Sequence, residues 1–84
     1  MEELLNSVIV AARLMDYIVY TDNKDELIRV CRILDNDLIS IVCNNDVYCV
    51  WRYNGTYYEV DNLTKIEALE VFKECLCKEN YWII

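Results

Sequence analysis

Val47-Tyr48-Cys49-Val50-Trp51-Arg52-Tyr53-Asn54-Gly55-Thr56-Tyr57-Tyr58-Glu59-Val60 carries the strongest structural signal in the chain. Two runs rich in aromatic and β-branched residues flank Asn54-Gly55, and both central positions of a type I′ turn need positive φ, which Asn and Gly adopt at low cost. The stretch therefore reads as a β-hairpin. A two-residue turn sets Tyr53 opposite Thr56, Arg52 opposite Tyr57 and Trp51 opposite Tyr58.

Upstream of this hairpin, residues 17–21, 26–34 and 38–43 form further short runs, separated by the Asx-rich segments 22–25, 35–37 and 44–46. Turn chemistry at this regular spacing predicts an antiparallel meander of four to five strands. In residues 25–34 the polar Glu26, Arg29 and Arg32 recur every third position, which also suits a short helix. The strand is preferred because Val30, Cys31 and Ile33 favour extended backbone.

Helices flank the meander. Over residues 2–15, Leu4, Leu5, Val8, Ala11, Ala12 and Met15 share one face, with Glu2 and Glu3 in the first turn. Val10 and Leu14 point away from that stripe. Over residues 65–79, Thr64 and Glu67 form a capping box, and Ala68, Leu69, Phe72, Cys75 and Leu76 form the buried stripe. Cys75 and Cys77 face nearly opposite ways, which leaves Cys77 exposed. The expected fold is α+β, one domain over residues 1–84, with both helices on one face of the sheet.

A three-residue turn at 44–46 places Cys43 opposite Val47 and Ile41 opposite Cys49. One sheet face then carries Ile39, Ile41, Cys43, Val47, Cys49, Trp51, Tyr58 and Val60, and is expected to be the core. The other carries Leu38, Ser40, Val42, Tyr48, Val50, Arg52, Tyr57 and Glu59, with Tyr57 and Arg52 set for a cross-strand cation–π pair.

Composition narrows the function. The chain has 84 residues with no His, no Pro and one Gly. Lacking His, it has no Ser-His or Cys-His pairing and no His-ligated zinc. Fifteen acidic against eight basic residues give a formal charge of −7, which repels phosphate backbones and disfavours direct nucleic-acid binding. The hydrophobic fraction of 56% is enough for a folded core. The five cysteines show no C-x-x-C spacing, and four of them read as core filler. Neither a signal-peptide pattern nor a span-length apolar run occurs, so a cytoplasmic location without membrane contact is expected. Asp35, Asp37 and the acidic 22–25 segment sit where turns use Asx residues, and no metal or cofactor is expected.

At class level the chain is similar to the small proteins of phages and other mobile elements, among them anti-CRISPR proteins. The likeness lies in one-domain length, acidity, absence of a catalytic constellation, and an Ile/Asn/Tyr-rich composition. It implies a viral inhibitor of a host nucleic-acid enzyme, acting in some cases as a nucleic-acid mimic. No family motif carries over residue by residue. The expectation is a non-enzymatic binding protein that engages a basic protein surface. Its candidate contacts are Glu67, Glu70 and Glu74 on the last helix, the turn acids Asp35, Asp37 and Asp46, and Tyr48, Arg52, Tyr57 and Glu59 on the sheet. The alternative is a homo-oligomeric assembly subunit joined through Val10, Leu14 and the apolar residues Tyr81, Trp82, Ile83 and Ile84. An acid- or thiol-dependent enzyme ranks last.

Overall fold

The computed structural model describes residues 2–77. Helix α1 (Glu2–Leu14) leads into strands β1 (Ile18–Tyr20), β2 (Glu26–Arg32), β3 (Asp37–Asn44), β4 (Val47–Tyr53) and β5 (Tyr57–Leu63), followed by helix α2 (Lys65–Cys77). The five strands form one antiparallel sheet in the order β1-β2-β3-β4-β5. This is the α+β meander expected, with residues 26–32 as strand; a single 3₁₀ turn, Ile33–Asp35, links β2 to β3. Helix α2 packs on β3, β4 and β5, while α1 packs on α2 and β1.

With one glycine available, the backbone turns on Asx residues instead. Asp16, Asp25, Asn36, Asn45, Asp46 and Asn62 are the non-glycine residues with positive φ among those described, and all six are Asn or Asp. Their short polar side chains tolerate the left-handed region that β-branched residues avoid. Asp16 shows the consequence. Helix α1 ends in a Schellman motif: the Tyr17 N–H donates to the Ala12 carbonyl at 3.0 Å and the Asp16 N–H donates to the Arg13 carbonyl at 3.1 Å. That reversal turns the Tyr17 ring into the core.

Helix α2 starts on the capping box read from the sequence. The Thr64 N–H donates to Glu67 Oε1 at 2.9 Å, and the Glu67 N–H donates to Thr64 Oγ1 at 3.2 Å. These bonds hold the exposed Glu67 carboxyl below its usual range, so its contribution is present above the unfolded carboxylate pKa and is lost as pH falls through the lowered one. Replacing Thr64 by Ala removes one bond of the pair and is expected to cost about 1 kcal/mol, read as a lower urea midpoint at unchanged slope.

The core lies between the sheet and the helices. It is built from Val8, Ala12, Tyr17, Ile28, Val30, Ile39, Ile41, Val50, Ala68, Leu69, Phe72, Cys75 and Leu76. The α2 stripe is thus buried as expected, and Cys77 is exposed. Of the four cysteines read as core filler, Cys75 alone is fully buried; Cys31, Cys43 and Cys49 lie at intermediate depth.

One expectation fails. The β3–β4 turn has two residues, Asn45 and Asp46, both with positive φ, so Asn44 pairs with Val47, Ile41 with Val50 and Ile39 with Arg52. The β4–β5 loop takes three residues, pairing Tyr53 with Tyr57 and Arg52 with Tyr58. A one-residue slip exchanges the faces of a strand. Tyr48, Val50 and Arg52 therefore face the helices, whereas Cys49 and Trp51 face away. The two slips cancel at β5, so Tyr58 and Val60 still point to the core side.

The flip of β4 puts a charge in the interior. Arg52 is 3% exposed and Asp37 is 1% exposed. Arg52 donates from Nε to Asp37 Oδ1 at 3.0 Å and from Nη2 to Asp37 Oδ2 at 2.8 Å. Its Nη1 reaches the Cys75 carbonyl at 3.4 Å, and the Tyr17 hydroxyl donates to Asp37 Oδ2. Burial and the bond to Asp37 push the Tyr17 hydroxyl far above its usual range. The last turn of α2 carries no basic residue, so Arg52, supplied by the sheet, meets its terminal carbonyl and the negative end of its dipole. Arg32 does the same for α1, donating to the Met15 carbonyl at 3.0 Å with its guanidinium 4.5 Å from the Tyr17 ring centroid. No buried side-chain nitrogen or oxygen among the described residues lacks a partner.

Candidate binding face on the open side of the sheet

Strand pairing places residues in rows across the side of the sheet away from the helices. One row runs Ile18, Cys31, Leu38, Tyr53, Tyr57; the next runs Tyr20, Arg29, Ser40, Trp51, Glu59; a third joins Glu26, Val42 and Cys49. No described element lies on this face. Ile18, Tyr20, Tyr53 and Tyr57 are each 45–55% exposed.

The centre of the face is organised by side-chain contacts. The Trp51 and Tyr57 rings stack with centroids 6.2 Å apart. The Arg29 guanidinium lies 5.7 Å from the Trp51 centroid and pairs with Glu26 at 3.0 Å, and Glu26 accepts from the buried Ser40 hydroxyl. The Tyr57 hydroxyl donates to Glu59, which pushes the phenol up to about 12. Such contacts hold the large rings in place in the free chain, and a side chain ordered in advance has less entropy to lose in any further contact.

The edge of the face at β5 is shaped by a bulge. Tyr48 pairs with Leu63 and Val50 with Val60, so Asp61 and Asn62 together oppose Cys49, and Asn62 takes φ 59°. This leaves Cys49, Glu59 and Asp61 with a sulfur and two carboxylate oxygens all within 4.8 Å of one another. They line a hollow of about 360 Å³ with Val42, Asn44 and Trp51. Burial and the Asp61 hydrogen bond push the Cys49 thiol up to about 12.

The ten residues expected from the sequence to meet a partner are not brought together. Tyr57 and Glu59 share the open face. Glu67, Glu70 and Glu74 are exposed on α2, in the helical layer on the opposite side. Asp35 is exposed and bonded to Arg32 at 3.0 and 2.8 Å, which holds its carboxyl below the usual range. Asp46 is exposed in the β3–β4 turn, and Tyr48 lies on the helix side of β4. Asp37 and Arg52 are inside, where a partner does not reach them, and the expected Arg52–Tyr57 pair is replaced by the Trp51–Tyr57 stack. Sequence reasoning missed Trp51, Arg29, Cys49 and Asp61. The signal was the Asn45-Asp46 pair, since two consecutive left-handed Asx residues make a two-residue hairpin turn as well as Asn-Gly does. Of the residues expected in an oligomer contact, Val10 is 56% and Leu14 is 79% exposed on α1; Tyr81, Trp82, Ile83 and Ile84 lie outside the described residues.

No family model, curated protein or solved structure matches this chain. Among the described residues, no helix is long and apolar enough to cross a membrane.

Proposed function

We propose that this chain is a non-enzymatic binding module that engages a basic protein surface through the open face of its sheet. The observation that carries this reading is the pre-stacked Trp51–Tyr57 pair on a face that no described element covers, beside aliphatic Leu38 and Val42 and next to the carboxylates Glu59 and Asp61. Aromatic side chains in a partly apolar setting supply most of the affinity at protein contacts, and surrounding charge sets partner choice and on-rate.

The electrostatics favour a cationic partner. Three of the seven described Lys and Arg side chains, Arg29, Arg32 and Arg52, are held by carboxylates of the same chain. The acidic excess is left facing outward. The partner class that fits is a protein whose own basic surface holds nucleic acid, such as a host nuclease, with the chain acting as its inhibitor.

The test is capture of partners from host-type lysates, washed at low and high salt, with variants on the two sides of the molecule. Trp51→Ala with Tyr57→Ala is expected to lose a basic partner by roughly 30-fold or more, the range of a hot-spot pair. Glu70→Lys with Glu74→Lys, on the far side, is expected to leave capture within a few-fold. Capture that survives the aromatic change but fails with the α2 change would move the contact to the helical layer. Recovery of the chain's own copies alone would favour the assembly-subunit reading, for which exposed Val10 and Leu14 speak.

A further inference from the structure

We propose that Cys49, Glu59 and Asp61 form a binding site for one thiophilic divalent cation of the zinc class. This goes beyond the partner-binding reading and stands or falls without it. The three side chains come from adjacent strands, and the β5 bulge brings Asp61 level with Cys49 on the open face. Their donor atoms lie within 4.8 Å of one another. A cation about 2.0–2.3 Å from each donor holds them about 3.4–3.6 Å apart, a closure that small rotations of the two exposed carboxylates provide.

A second observation concerns charge. No Lys or Arg among the described residues forms a salt bridge with Glu59 or Asp61; the ion pairs present join Arg29 to Glu26, Arg32 to Asp35 and Arg52 to Asp37. Two carboxylates and a half-buried thiol thus share a small volume without a counter-charge. The Tyr57 hydroxyl donates to Glu59 Oε1, orienting that carboxylate as outer partners of metal ligands do. The hollow beside Cys49 and Asn44 leaves room for a water as fourth ligand.

Donor type sets the metal class. A thiolate is a poor ligand for Mg²⁺ or Ca²⁺ and a good one for Zn²⁺ or Cd²⁺, and the two carboxylates make the set borderline rather than purely soft. On binding, the Cys49 S–H bond breaks, its proton passes to solvent, and the sulfur electron pair forms the metal bond. The neutral thiol of the metal-free protein becomes a thiolate, so one proton is released per ion and affinity rises with pH.

The probe is Cd²⁺ alone, titrated into the purified full chain with a non-thiol reductant present, with thiolate-to-metal charge-transfer absorption as the readout. One equivalent is expected to produce the band and release one proton. Cys49→Ser is expected to abolish the band, Cys77→Ser to keep it, and Asp61→Asn or Glu59→Gln to weaken binding by roughly tenfold or more. The two carboxylates are exposed, so their replacement is expected to leave the fold intact, which keeps the test decisive if Cys49→Ser unfolds. The proposal is overturned by no band in the unaltered chain, by a band that survives Cys49→Ser, or by affinity unchanged in both carboxylate variants. Loss of the Cd²⁺ band on adding an equal concentration of Ca²⁺ would equally overturn it, showing a site set by its carboxylates rather than by its thiol.

Discussion

Replacing Asp37 by Leu is expected to destabilise the chain by about 3–5 kcal/mol, because it leaves the Arg52 guanidinium buried without its carboxylate. For 84 residues a total stability of about 4–13 kcal/mol is ordinary, so this one change removes a large share of it. Arg52→Met is expected to cost less, since Asp37 keeps the Tyr17 hydroxyl as a donor, although the Cys75 carbonyl loses its partner. The double variant distinguishes the mechanism. With both charges gone, no uncompensated ion stays in the interior, and the loss should fall short of the sum of the single losses by about 1–3 kcal/mol. Urea unfolding of the four proteins measures this coupling. Additive losses would mean that the bidentate pair contributes nothing as a pair, and that its burial only reflects packing.

The second large effect tests which face of β4 is inside. Val50→Lys is expected to cost about 4–5 kcal/mol or more and to prevent folding at physiological temperature, since Val50 is fully buried under α2 and an ammonium there has no partner. Its neighbour behaves differently. Trp51→Thr removes the ring that stacks on Tyr57 and lies under Arg29, on the open side, for about 1–2 kcal/mol. The register read from an Asn54-Gly55 turn and a three-residue 44–46 turn predicts the reverse order. Far-ultraviolet circular dichroism and thermal midpoints of the two variants separate the alternatives, and a folded Val50→Lys chain would overturn the pairing of Val50 with Ile41 and Val60.

Much of the architecture was legible in residue order. Helical periodicity placed Phe72, Leu69, Ala68, Cys75 and Leu76 on one stripe of α2, and Thr64 with Glu67 marked its start. The same periodicity left Val10, Leu14 and Cys77 outside. Asx-rich separators delimited the strands, because in a chain nearly devoid of glycine these residues take up the left-handed backbone of the turns.

The candidate site was harder to read than the fold. A strand repeats every two residues, so a turn shorter or longer by one residue leaves every element in place while exchanging which side chains meet the core. In β4 both faces carry residues able to be buried: Tyr48, Val50 and Arg52 on one, Val47, Cys49, Trp51 and Tyr53 on the other. Hydrophobicity favoured the Trp51 face as the core. The folded chain chose the other, because Arg52 finds Asp37 and the end of α2 there, and because Val50 meets Ile41 and Val60.

Local order in the chain thus determined the elements, their sequence and the helix faces, since periodicity, capping and turn preference act over a few residues. Tertiary structure decided the register of β4, the burial of Asp37 with Arg52, and the grouping of Trp51, Tyr57, Cys49, Glu59 and Asp61 on one open face. Those outcomes depend on pairing between strands and on partners up to 23 residues apart, as from Arg52 to Cys75, and an ion pair can occupy an interior only when the whole fold supplies each of its hydrogen-bond partners.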